Sequence, residues 1–152
     1  MTALRRTVVA CAMLGAVLAG MLATASAAAA GDGYVYAYDQ TYGWTKSGDA
    51  CRWYGNDTNW YDCTWYGVRK NMLNRASSLR NMGYAGGYDK VNFYWGTNLT
   101  GAWACLGVGD YWADLPLGRE RFTWYGNDKR GLGESLNNNV ASHKWVTRCG
   151  NP

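Results

Sequence analysis

The chain has 152 residues, of which 48% are hydrophobic and 17% charged, with a formal net charge of +4. That much apolar content excludes a disordered chain, five cysteines are too few for a scaffold made mainly of disulfides, and the charge offers no dense basic face for nucleic acid. Nine Trp and 12 Tyr stand against two Phe, so almost every aromatic ring carries a polar handle and suits strands that are half buried and half wet.

Arg5 and Arg6 precede an uncharged stretch from Thr7 to Leu22, then Ala23-Thr24-Ala25-Ser26-Ala27-Ala28-Ala29-Ala30. A cationic start, an apolar run and small A-x-A sites predict a secretory signal peptide over residues 1–30, cleaved after Ala25, Ala27 or Ala30. A membrane anchor is the weaker expectation, because Ala and Gly crowd the second half and no basic cluster follows. Cys11 sits too close to Arg6 for a lipoprotein signal. Loss of Arg5 and Arg6 lowers Lys plus Arg from 15 to 13 against 11 acids, a net charge of +2. Four cysteines then remain, Cys51, Cys63, Cys105 and Cys149. An even number in an exported chain predicts two disulfides, a secreted, extracellular location and no membrane partner after cleavage. Three connectivities are open. The turn-rich Gly-Asn-Asp-Thr-Asn segment between Cys51 and Cys63 favours that local pair, with Cys105–Cys149 tying the C-terminus to a central strand.

Short aromatic runs separated by Gly, Asn and Asp predict strands at 34–38, 51–54, 63–66, 91–95 and 121–125. The one helical candidate is Val68 to Leu79, where Met72, Leu73, Ala76 and Leu79 recur at 3–4 spacing without clear caps, so at most a turn or two is expected. The chain also repeats itself. Trp53-Tyr54-Gly55-Asn56-Asp57 returns as Trp124-Tyr125-Gly126-Asn127-Asp128, and Asn74-Arg75-Ala76-Ser77-Ser78 is echoed by Asn139-Val140-Ala141-Ser142-His143. Tyr38 with Tyr42-Gly43 is matched by Tyr94 with Leu99-Thr100-Gly101. Two β-units, about 31–87 and 88–152, each too small to bury its own face, are expected to pack into one domain with the boundary near Gly86-Gly87.

An aromatic strand running into a Gly turn, followed by an Asn-x-x-Ser-Ser-like stretch and given twice, resembles the Greek-key motif of βγ-crystallins. The resemblance implies an all-β, βγ-crystallin-like double Greek-key sandwich with two disulfides. The segments at 48–56, 74–78, 94–102 and 135–145, behind a signal peptide, are also similar to the secreted bacterial peptidase inhibitors of family thirty-six, founded on an SMPI-type metalloproteinase inhibitor. That likeness covers about residues 33–146 and implies an extracellular peptidase as partner, with a metallopeptidase foremost. In the founding inhibitor the reactive bond follows a cysteine, which here points to Cys105–Leu106, with Leu106 filling the peptidase pocket. The nearby second cysteine that closes a small loop there has no counterpart in Gly107 to Tyr111. Calcium-binding βγ-crystallins use an (Asn/Asp)-(Asn/Asp)-x-x-(Ser/Thr)-Ser stretch from each repeat, which makes Asn74, Ser77, Asn139 and Ser142 a weak candidate calcium site. Leu73 and His143 break that pattern, and neither stretch brings a carboxylate.

No enzyme and no other cofactor is expected. His143 is the sole histidine and is read as a strand-end residue; Ser142 beside it cannot serve it as a nucleophile. Glu120 or Glu134 with Asp110 or Asp114 could be written as a glycosidase pair, but 11 acids always offer one. The alternative to inhibition is a carbohydrate- or calcium-binding module, or a killer-toxin-like protein, with cell-wall polysaccharide stacked on Trp44, Trp60, Tyr61, Trp65, Tyr111 or Trp112.

Overall fold

β1 (Tyr34–Tyr38) alternates faces, placing Val35 and Ala37 in the main core and Tyr34, Tyr36 and Tyr38 on the other side. β6 (Lys90–Tyr94) does the same with Val91 and Phe93 inward. In the computed structural model of the protein, residues 31–151 are described, so the signal-peptide expectation falls outside the described residues. The other strands are β2 (Ala50–Trp53), β3 (Cys63–Trp65), β4 (Val68–Lys70), β5 (Ser78–Met82), β7 (Trp103–Leu106), β8 (Tyr111–Trp112) and β9 (Ser142–Val146). Two antiparallel sheets form, ordered β2-β1-β5-β8 and β7-β6-β9, with β3–β4 as a separate hairpin. Three one-turn 3₁₀ segments are the sole helical elements among the described residues.

Each half lends a segment to the other's sheet, a strand in one direction and a single bridge in the other. β8, from the second half, pairs with β5, matching Leu79 with Trp112 and Arg80 with Tyr111. Asp57 to Trp60, from the first half, reaches β9 instead, where Asp57 and His143 exchange backbone bonds of 3.1 and 2.8 Å and the Trp60 amide donates to Ala141. The corners cross-link reciprocally, with the Asn74 amide donating to Val140 and the Asn138 amide to Ala76, at 2.9 and 3.0 Å. This is the expected all-β double Greek key with two disulfides.

The two corners are alike in geometry, in a register that differs from the sequence echo. Ser78 Oγ donates to the Gln40 carbonyl and accepts from the Gly43 amide; Ser142 Oγ donates to Gly96 and accepts from Leu99. Tyr38 pairs with Ser78 as Tyr94 pairs with Ser142, so Ser142 answers to Ser78 and not to Ser77. Asn74 accordingly matches Asn138, and both adopt the left-handed conformation, at φ 53° and 57°, which Asn tolerates through local hydrogen bonding of its side chain.

The helical candidate is corrected. Val68–Lys70 is β4, the corner follows, and β5 begins at Ser78. Met72, Ala76 and Leu79 are fully buried because the corner folds over the core, which imitates helical spacing without a helix. The 121–125 run is not a strand either; it makes single bridges from Arg121 to Ser135 and from Trp124 to Trp103. Between the sheets, Trp53 stacks on Trp60 at 4.6 Å, and Trp60 meets Phe93 edge-on at 5.9 Å. Burial of each such ring contributes about 1.5–3 kcal/mol. Cys51–Cys63 ties β2 to β3, and Cys105–Cys149 ties β7 to the C-terminal segment, with Cα separations of 5.8 and 5.5 Å. β7 is an outer member of its sheet's order, not a central one.

Candidate functional site

A cleft of about 570 Å³ opens where the ends of β2, β5 and β9 meet the start of β6. Tyr54, Tyr84 and Tyr88 stand around it, each 60–72% exposed, with Trp145 of β9 behind them at 9%. Three large exposed rings converging on one concavity call for a ligand more strongly than scattered surface aromatics do. The local sequence explains why they converge. Gly33 lies at φ 86°, and a Cβ there would come within 2.8 Å of both the Tyr54 and Tyr84 rings. A Cβ on Gly83 would stand 2.6 Å from the Trp145 ring. These two glycines let the aromatic groups close in on the backbone.

The cleft is held from below. Buried Asn81 accepts from the Gly83 amide through Oδ1 at 2.9 Å and donates from Nδ2 to the Asp89 carbonyl at 2.9 Å, fixing both ends of the segment that carries Tyr84 and Tyr88. The amides of Asp32 and Gly33 both donate to the Met82 carbonyl at 2.9 Å. Asn56 Oδ1 accepts the Trp145 amide at 2.8 Å, and Tyr34 meets Tyr54 edge-on at 5.6 Å. Such support lowers the ordering cost of binding.

His143 anchors the rim from inside. Its Nδ1 accepts from the Trp60 indole at 2.8 Å and its Nε2 donates to the Gly55 carbonyl at 2.8 Å. The indole only donates and the carbonyl only accepts, which fixes the neutral Nε2–H tautomer. Burial pushes its pKa down to about 4, with Gly55 opposing in part. Both ring nitrogens are engaged, so the ring has no lone pair left for a substrate. Asp57, paired beside it along the backbone, is pushed up by burial, against the Asn59 amide that donates to its Oδ1 at 2.7 Å.

The sequence candidates are scattered through the fold. Cys105 and Leu106 lie in β7, paired with Asn92 and Val91, and Leu106 is 3% exposed in the core. Of the six stacking candidates only Tyr61 and Tyr111 are exposed. Trp60 is fully buried, contrary to expectation; Trp44 and Trp65 cover Tyr36 and Tyr38 on the outer face of the first sheet, and Trp112 packs on Phe93. Glu134 accepts from the Trp95 indole at 2.9 Å, and neither it nor Glu120, Asp110 or Asp114 lines the tyrosine cleft. No group of three or more His, Cys, Asp or Glu occurs among the described residues.

The calcium candidates partly meet. Asn74 and Asn139 border one cleft with Ala141, but Ser142 Oγ is engaged by Gly96 and Leu99, and Asn139 Nδ2 donates to Ser135. In the observed register Ala141 stands where Ser77 does, so the second corner has no hydroxyl there. Four candidates without a carboxylate, one hydroxyl already engaged, do not fit the six to eight hard oxygens that calcium takes.

No sequence expectation singled out Tyr84 or Tyr88. Their signal was two bulky aromatics on either side of Gly86-Gly87 in a segment too glycine-rich for a strand. No family model matches the chain, and no curated protein matches it. Among solved structures, it is similar to one described under the evolution of the eye lens βγ-crystallin domain fold, with a TM-score of 0.49 and 17% identity over 76% of this chain and 87% of that one. It is also similar to a βγ-crystallin from an archaeon, with a TM-score of 0.45 and 13% identity over 74% of this chain and 96% of that one.

Proposed function

We propose that the protein is a secreted, non-catalytic recognition domain whose tyrosine cleft binds a carbohydrate segment. The observation that carries this is the convergence of Tyr54, Tyr84 and Tyr88 on one supported concavity. Sugar rings offer C–H faces to aromatic planes and hydroxyls to their polar edges, so phenol-lined clefts suit them. The leader-like residues 1–30 and the two disulfides support an extracellular setting. The test is calorimetric titration of the exported protein with soluble N-acetylglucosamine and glucose oligosaccharides, and a pull-down on insoluble cell-wall polysaccharide. Saturable binding that weakens about tenfold in Tyr88→Ala is expected, a loss of about 1.4 kcal/mol. Absence of binding across both series removes this reading.

Inhibition of an extracellular metallopeptidase is the second reading, favoured by one observation. The Cys105–Cys149 bridge spans the Cys105–Leu106 bond, so a cut there leaves the two pieces covalently joined. A peptidase pocket could take Leu106 only after the end of β7 lifts from the core, which costs roughly the 2–5 kcal/mol of emptying a buried leucine site. A thermolysin-like peptidase panel decides between the readings. Tight inhibition with a single retained cut after Cys105 supports the inhibitor, and its absence leaves the cleft.

A further inference from the structure

The two Trp-Tyr-Gly-Asn-Asp segments are not a product of the fold's internal symmetry. Trp53 ends β2, where its counterpart in the second half is Leu106, because these residues pair with Val35 and Val91 respectively. Trp124 instead lies in a later segment that bridges back to Trp103. What the two copies share is a neighbour. Gly55 and Asn56 border the tyrosine cleft; Gly126, Asn127 and Asp128 border a second cleft of about 420 Å³; and Lys144 of β9 lines both.

The two clefts are backed alike, although only the first is walled by exposed rings. Each is backed by a tryptophan more than nine-tenths buried, Trp145 in the first and Trp103 in the second. In both, the indole N–H has no hydrogen-bond partner. The Trp53 indole, which borders neither cleft, is unpaired in the same way, and in both clefts it is the benzo edge of the tryptophan, from Cζ3, that lies nearest the lining glycines Gly83 and Gly126. The one acid lining either cleft is Asp128, whose carboxylate is held by the Arg130 guanidinium and the Gly101 amide at 2.7–3.1 Å.

We infer that the two clefts form one groove crossing β9 at Lys144, and that its ligand is a chain of uncharged, β-linked pyranose units long enough to occupy both. The inference rests on the carbohydrate reading of the tyrosine cleft and extends it from a sugar to a polymer. Equatorial linkage keeps such a chain extended, with flat C–H faces for the rings and hydroxyls at the rims. A short oligomer fills one cleft. A longer one gains the second as an intramolecular event, so its affinity rises without any new surface being needed.

The fold offers a matched pair of blocking substitutions. A Cβ on Gly55 meets no atom within 4 Å, one on Gly126 meets nothing nearer than the Trp103 ring at 4.0 Å, and neither glycine has a positive φ. Gly55→Val and Gly126→Val therefore each fill one cleft without disturbing the backbone, which thermal melts of both variants verify. The full protein is titrated with N-acetylglucosamine oligomers of two and six units, and with glucose oligomers joined β-1,4. The expected result is a hexamer at least tenfold tighter than the dimer. Gly126→Val should erase that advantage while sparing the dimer, and Gly55→Val should weaken both. Equal affinities for the two lengths, or a hexamer advantage that survives Gly126→Val, overturn the groove and leave the tyrosine cleft as the whole site. No heat with either length in either series overturns the carbohydrate reading together with the groove.

Discussion

Leu79 and His143 occupy the same place in the two halves. Each is the second residue of its strand, each is fully buried, and each faces a segment lent by the other half, Trp112 for Leu79 and Asp57 for His143. A leucine there needs only apolar walls. An imidazole needs a donor and an acceptor, and the Trp60 indole and Gly55 carbonyl supply them. The second half has thus exchanged an undirected contact for a directed one that holds the rim of the cleft. Equivalent positions in a duplicated fold can share burial and still differ in what they tie together.

The largest effects are expected from the bridges. Cys51–Cys63 closes a separation of 12 residues and Cys105–Cys149 one of 44. Loop-closure entropy then gives about 3 kcal/mol for the first and about 4 kcal/mol for the second. Urea midpoints of the two double Cys→Ser variants should show the second half the more dependent. Next comes acid. His143 stays neutral in the fold to about pH 4, whereas an unfolded histidine takes a proton near 6.5. Its contribution is therefore complete above pH 6.5 and is lost as pH falls toward 4, about 3 kcal/mol by the lower limit. His143→Leu makes the halves alike, and should flatten the stability profile over that window while the bare Trp60 indole lowers its plateau.

Smaller, and expected to be nearly equal, are the corner serines. Ser78→Ala and Ser142→Ala each remove one donated and one accepted bond, so each should cost about 2 kcal/mol in chemical denaturation. A clear inequality would show that the two corners are less alike than their geometry. The smallest effect is expected from calcium. With Ala141 in the place of Ser77, millimolar ion should give no saturable heat in calorimetry.

Much of the fold was legible because its strands are aromatic and bounded by Gly and Asn; β1, β2, β3 and β6 lie within a residue or two of expectation. β8 was not, since two residues hold no alternation to detect, and β5 was hidden by a corner that buries Met72 and Ala76 at helical intervals. The echo of Asn74 with Asn139 slipped by one because the second corner offers three consecutive asparagines, and only the left-handed backbone at Asn138 distinguishes among them. The cleft was the least legible part. Its rings come from residues 54, 84, 88 and 145, joined by glycines and by Asn81, and nothing local to any of these positions reports the others.

The crossed strands have a consequence for a molecule cut between its halves. Neither bridge spans the exposed Gly86-Gly87 link, so a nick there would leave two polypeptides with no covalent connection. The first piece would lack β8 and the second the Asp57–Trp60 segment that bridges β9, and each could recover its missing segment only from the other. Separately produced fragments should thus remain incomplete alone and reconstitute when mixed, which would make the protein a natural split-reporter scaffold.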